Sequence, residues 1–320
     1  MNRLTRFCAV ALMSLVVANA EGAPPDIKVT LLGTGTPSPR IDRFGPSTLV
    51  EAGRERVLID CGRGVPIRLW QLHIPPSSLT AVFLTHLHSD HVVGIPDLWL
   101  TGWLSPPFGR RTDAFRIWGP PGTKEMMANL ERAYSWDIQT RIVDEKLPKE
   151  GVAVIAEDIQ EGVVYEKNGV KVTAFQVDHG ELIKPALGYR IDYAGRSVVI
   201  SGDTRPNDNL VRYAKGTDVL IHEVAEGRSD QLRTSEAARR IIGHHTTPEE
   251  AGKIFSRVKP RLAVYSHIVL LTTEPGVAAP TVKDLVAATR TTYDGPLEVG
   301  EDLTTIDIGA TVTTHRFAKH

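Results

Sequence analysis

Cysteine is nearly absent: the chain has two in 320 residues, Cys8 and Cys61. Cys8 lies inside an amino-terminal segment that has the form of a leader, so Cys61 alone remains afterwards and an internal disulfide is excluded. A net positive charge is also missing. Residues 1–20 carry Arg3 and Arg6 and no acid, so their removal takes the net charge from −1 to −3. That balance leaves no electrostatic footprint for a polyanion, and nucleic acid is an unlikely partner on this ground. Long apolar runs are missing too. The stretch from Cys8 to Ala18 is shorter than the roughly 20 residues a spanning helix needs, and no later segment is a candidate. With Arg3 and Arg6 before it and Ala18-Asn19-Ala20 after it, this stretch reads as a cleavable signal peptide over residues 1–20. A periplasmic or secreted chain with no membrane span is expected, residues 21–320 forming one domain.

What is present is a series of short apolar runs with helical stretches between them, the pattern of a mixed α/β protein. The runs are Ile27 to Leu32, Val57 to Ile59, Ala81 to Leu84, Val170 to Val177, Ser197 to Ile200, Val219 to Ile221 and Leu262 to Tyr265. A helix is predicted from Thr123, with Met127, Leu130 and Tyr134 on one face. Another opens at Thr247, where Pro248 and Glu250 complete an N-terminal capping pattern, and stops before Pro260. Thr272 to Pro280 is expected to be a loop.

Polar residues sit at the ends of these runs: Asp60, His86, His179, Asp203, His222 with Glu223, and His267. The densest local signal is Thr85-His86-Leu87-His88-Ser89-Asp90-His91, three imidazoles and a carboxylate within six residues. Neutral imidazole and ionised carboxylate suit borderline metals such as zinc, and burying them without a metal or partners is costly. Cys61 is expected to be a small buried residue. His73, His315 and His320 fit no ligand pattern.

The sequence His86-x-His88-x-Asp90-His91 resembles the signature of the metallo-β-lactamase superfamily. Gly33-Thr34-Gly35-Thr36, Asp60, Asp178-His179-Gly180, Ser201-Gly202-Asp203-Thr204, His222-Glu223 and Ser266-His267 follow in that family's order. His222-Glu223 and His245-Thr246-Thr247 narrow the resemblance to the ribonuclease Z and arylsulfatase branch. It implies an αβ/βα four-layer sandwich, two mixed sheets flanked by helices. It implies two Zn²⁺, with Mn²⁺ or Fe²⁺ as alternatives: one ion held by His86, His88 and His179, the other by Asp90, His91 and His267, with Asp203 between them. Two metals sharing a water bring its pKa from near 16 toward about 7, which makes hydroxide available. Asp90 would also orient that nucleophile. His245, or its neighbour His244, would be the general acid, oriented by Glu223, and Asp60 would fix a ligand imidazole from behind. His222 would be structural. Trp99, Trp103 and Phe108 are candidates for core packing or for an aromatic substrate wall.

Asp203 points away from true β-lactamases, which resemble this chain but place cysteine or serine there. The expected reaction is arylsulfatase-like hydrolysis of a small anionic sulfate ester or phosphodiester. The alternatives are a ribonuclease Z-like tRNA 3′-end phosphodiesterase, a lactone or ester hydrolase, and a metal-binding protein without catalysis. A homodimer stays open.

Overall fold

The computed structural model describes residues 25–318. The expected leader, residues 1–20, therefore lies outside the described residues, as does His320. Two sheets stack face to face. In the first the strand order is Val312–His315, Thr305–Ile308, Ile27–Gly33, Ser47–Ala52, Glu55–Ile59, Ala81–Phe83, Phe115–Gly119 and Val154–Asp158. In the second it is Leu297–Val299, Leu262–Leu271, Val219–Gly227, Arg196–Ile200, Ala186–Tyr193, Val170–Val177 and Gly162–Lys167.

Strands buried on both faces must be apolar throughout, and Val57 to Ile59, Ala81 to Phe83, Val198 to Ile200 and Val219 to Ile221 all are. Between the sheets pack Val29, Leu31, Phe83, Leu187, Tyr189, Val198, Val219 and Ile306. Leu58, Val82 and Leu84 on the outer face of the first sheet meet Leu69, Leu98 and Trp99 from its covering helices. Phe175, Leu220 and Tyr265 do the same for the second sheet against Leu210, Phe255 and Leu285. The result is the expected four layers. The helix Pro248–Val258 has the predicted Thr247/Glu250 capping box. The helix from Thr123 ends at Ala133 with Met127 buried and Leu130 packed on the core; Tyr134 caps it, 37% exposed, with its ring edge-on to Trp99.

Each sheet contains a parallel run: Glu55–Ile59 through Val154–Asp158 in one, Arg196–Ile200 through Leu297–Val299 in the other. Parallel strands bring their carboxyl ends to one edge, the place where α/β sheets present functional groups. Backbone bonds from Leu187 N–H to Thr85 O (2.8 Å) and from Ile268 N–H to Thr34 O (3.1 Å) join the two sheets at that edge.

Two strands run further than expected. Val219–Gly227 continues through His222 and Glu223, and Leu262–Leu271 continues through His267. The pairing jumps from His222↔Tyr265 to Val224↔Ile268, which leaves one extra residue on the second strand. Such a bulge re-aims a side chain. His267 lies within it, in the left-handed region at φ 44°.

Candidate metal centre

The Thr85–His91 segment leaves the strand Ala81–Phe83 and enters a four-residue helix, Ser89–Val92. This places His86, Asp90 and His91 in the interior and leaves His88 on the solvent side. The backbone runs tightly here: a Cβ on Gly62 would lie 2.6 Å from Asp90 O, so only glycine fits.

The residues singled out along the chain converge. His86 Nε2 and His179 Nε2 lie 2.9 and 3.3 Å from His88 Nδ1. His267 Nε2 and His91 Nε2 lie 3.3 and 3.6 Å from Asp90 Oδ2. Asp203 Oδ2 stands between the sets, 3.9 and 3.7 Å from the Nε2 atoms of His86 and His179, and 3.4 and 3.3 Å from those of His91 and His267. Donors about 2.0–2.2 Å from a tetrahedral zinc are about 3.3 Å from one another, close to this spacing. The donor groups His86/His88/His179 and Asp90/His91/His267 each fit one ion, and Asp203 reaches both.

Protonation agrees. Burial pushes the His86, His88 and His179 imidazoles down, His179 to about 4, which keeps their lone pairs free at neutral pH. Burial would raise the Asp203 carboxyl, but His267 and His91 outweigh it and hold it well below the usual range. Burial would also lower His91, yet Asp203 and Asp60 hold its proton firmly. His91 Nε2 and Asp203 Oδ1 are buried with no hydrogen-bond partner among the described residues. Orphaned donors and acceptors in such a place are expensive, and a cation replacing the His91 proton would satisfy the site.

A further ring of contacts sets the tautomers. Asp60, itself left-handed at φ 61°, accepts from Thr85 N–H (2.8 Å), Thr85 Oγ1–H (2.9 Å) and His91 Nδ1–H (2.8 Å). Thr85 Oγ1 is 3.0 Å from His86 Nδ1, and His179 Nδ1–H donates to His244 O at 2.9 Å. In each ring the Nδ1 contact leaves Nε2 facing inward.

His245 Nδ1 and Glu223 Oε2 are 3.2 Å apart, and neither has another partner among the described residues. Glu223 Oε1 is anchored by Thr246 N–H at 2.9 Å. Burial would lower His245, but Glu223 overcomes it and the imidazole is raised to about 9. The His245 ring centroid is 5.2 and 5.6 Å from those of His179 and His267. His244 is exposed; its carbonyl accepts from His179, and its ring lies edge-on to His179 with centroids 5.8 Å apart. His222 is fully buried, its Nδ1–H donating to Glu223 O at 2.5 Å.

A cleft of about 320 Å³ opens over the centre, walled by Pro37, Ile241, Val269 and Leu271. Trp99 and Trp103 are not part of it. Both are fully buried and donate to Val152 O and Pro148 O, so they belong to the core. Phe108 stacks on Trp70 at 6.2 Å, and neither lines the cleft. The sequence reading missed Thr85 as a partner of Asp60 and the aliphatic wall. Thr85 stood beside the motif, but nothing marked Ile241 or Leu271.

Fold and site together define a metal-dependent hydrolase of ester bonds. The model of the β-lactamase superfamily domain matches residues 55–268. A ribonuclease Z of Mycolicibacterium gilvum is 36% identical over 88% of this chain and 96% of its own length. A ribonuclease Z of Mycobacterium avium is 36% identical over 89% and 99%. The chain belongs to the β-lactamase superfamily, in its ribonuclease Z branch. Among solved structures, the metallo-β-lactamase fold protein YhfI of Bacillus subtilis aligns with a TM-score of 0.67 at 20% identity, over 87% of this chain and 98% of its own. The short form of human tRNase Z aligns at 0.65 and 20%, over 88% and 99%. At that identity they support the fold alone.

Proposed function

We propose that this chain is a dinuclear zinc phosphodiesterase of the ribonuclease Z type, acting on RNA. The observation that carries the reading is the 36% identity to ribonuclease Z over 88% of the chain. The arylsulfatase-like reaction expected from the sequence finds no support among these relatives. The expectation that nucleic acid is an unlikely partner runs against their name. It rested on the expected export, on the net charge and on the lack of an evident Gly/Pro-rich basic arm between His91 and His179; net charge is a global quantity, whereas a substrate phosphate is recognised locally at the metal centre.

His86, His88 and His179 would hold one zinc, Asp90, His91 and His267 the other, and Asp203 would bridge them. When bound, two zinc ions supply Lewis acidity toward a phosphoryl oxygen and acidify water at neutral pH. Asp60, Thr85 and the His244 carbonyl keep three ligand rings in the tautomer that binds. Asp90 would orient the attacking water as well as bind. His245, kept protonated by Glu223, donates its proton to the leaving oxygen. The aliphatic wall of the cleft, Pro37, Ile241, Val269 and Leu271, would lower the polarity around that transfer.

Export remains part of the proposal, resting on residues 1–20, and sequencing the amino terminus of secreted material tests it. An intact Met1 there withdraws it. Export and precursor-tRNA processing are hard to combine, so the substrate class proposed is an RNA phosphodiester. Zinc-loaded chain should cleave a 3′-extended tRNA precursor or bis-p-nitrophenyl phosphate faster than p-nitrophenyl sulfate. Preference for the sulfate restores the arylsulfatase reading, and zinc bound without turnover of any of the three points to a binding protein.

A further inference from the structure

The loops that carry His179 and Asp203 leave strands Val170–Val177 and Arg196–Ile200, which are not neighbours. Ala186–Tyr193 runs between them, so their ends are set about 9–10 Å apart by strand spacing alone. The sheet ladder fixes neither loop on the other. Yet His179 Nε2 and Asp203 Oδ2 stand 3.7 Å apart.

We propose that Asp178 and Arg205 form a clamp that holds these two ligands at metal-binding distance, a positioning role that rests on the site reading above. Arg205 Nη2–H donates to both carboxylate oxygens of Asp178, at 2.6 and 2.7 Å. The backbone repeats the link: Arg205 N–H donates to Asp178 O at 2.7 Å, and Asp178 N–H donates to Thr204 Oγ1 at 3.2 Å. Asp178 Oδ1 also accepts Gly180 N–H at 3.1 Å, so one carboxylate braces the chain on both sides of His179. Thr204 N–H in turn donates to Glu223 Oε1 at 3.3 Å, which ties the clamp to the carboxylate facing His245. Asp178 precedes His179 by one residue and Arg205 follows Asp203 by two, so a change in either side chain moves a ligand through very little intervening chain. Arg205 Nε is buried without a partner among the described residues, while the rest of the side chain stays partly exposed. Glu181, 3.6 Å away, is exposed and adds only screened attraction.

Loss of groups that orient metal ligands typically weakens binding about 10- to 100-fold. Arg205→Gln and Asp178→Asn should each do so in the full chain, as read by zinc competition against a chromophoric chelator. The larger loss is expected at the His86/His88/His179 ion, because His179 belongs to that set. The double variant should lose no more than the worse single one, since either change opens the same clamp. Arg205→Lys should recover part of the affinity. The melting temperature of the metal-free chain should stay nearly constant, because the pair is about one-third exposed and worth little to the fold by itself. Parental zinc affinity in both single variants, or additive losses that track melting temperature, overturn the clamp alone. A parent chain that binds no zinc overturns the site reading with it.

Discussion

Asp60→Asn separates ring orientation from ligand identity, because it changes no atom that faces the metals. In the native chain Asp60 Oδ1 accepts Thr85 N–H, while Oδ2 accepts both Thr85 Oγ1–H and His91 Nδ1–H. An asparagine best keeps its oxygen on the buried amide of Thr85, since an orphaned N–H costs about 1–3 kcal/mol. Its NH₂ then faces His91 Nδ1, which must become an acceptor. The His91 proton moves to Nε2, the nitrogen 3.4 Å from Asp203 Oδ2, and a lone pair needed for metal is lost. A reduction of about 10- to 100-fold in affinity, about 1.4–2.8 kcal/mol, is expected at the Asp90/His91/His267 ion. The other ion should be held nearly as before. Asparagine tolerates the left-handed backbone at φ 61°, so the fold should lose only about 1–2 kcal/mol, the difference between charge-assisted and neutral bonds. The assay is zinc stoichiometry by mass spectrometry of the metal after dialysis at fixed free zinc, beside thermal unfolding. Two ions bound with parental affinity would refute the tautomer argument.

His245→Ala should retain both metals and slow turnover by about 10²- to 10⁴-fold, as measured by zinc content and steady-state kinetics. Its pKa, raised to about 9, lies above the ordinary value of 6.5, so the acid is protonated at low pH and activity should fall as pH rises through it. Two nearby cations oppose the imidazolium, so the alkaline limb should lie at or below about 9, and Glu223→Gln should move it lower. The same sign holds for stability. In the metal-free chain the His245–Glu223 contribution is complete below 6.5 and is lost as pH rises to about 9, which melting curves across that window check. Trp99→Ala should cost about 3–5 kcal/mol of stability through the cavity and the lost bond to Val152 O, with zinc affinity unchanged in denaturant titrations and competition assays.

The chemistry was legible in the sequence because the residues that carry it are short polar groups where none should follow an apolar run. His86 to His91 announced a metal by composition alone, and the capping pattern at Thr247 fixed where the following helix begins. Strand ends were less legible. His267 lies inside a ten-residue strand, and only the extra residue between Tyr265 and Ile268 turns it toward Asp90. Local pattern records polarity, whereas a bulge is a property of two paired strands.

Partners of the ligands required the tertiary structure for the same reason. Nothing in the sequence distinguishes His244 from His245 except spacing, but the fold turns the His245 ring to Glu223 and leaves the His244 ring at the cleft, edge-on to His179, with its carbonyl holding that ligand. Trp99 and Trp103 follow the metal motif in sequence, yet the helix Ile95–Trp103 turns both into the core beneath it, away from the cleft. The amino-acid sequence by itself determined the donor set, the layered α/β class and the family resemblance, because these depend on residue type and order. Distances decided the rest: which donors share an ion, which nitrogen each ring presents, and which loops are braced. Those follow from how two sheets stacked face to face bring their loop-bearing edges together: His86 and Asp203, 117 positions apart, meet only there, as do Asp90 and His267, 177 apart.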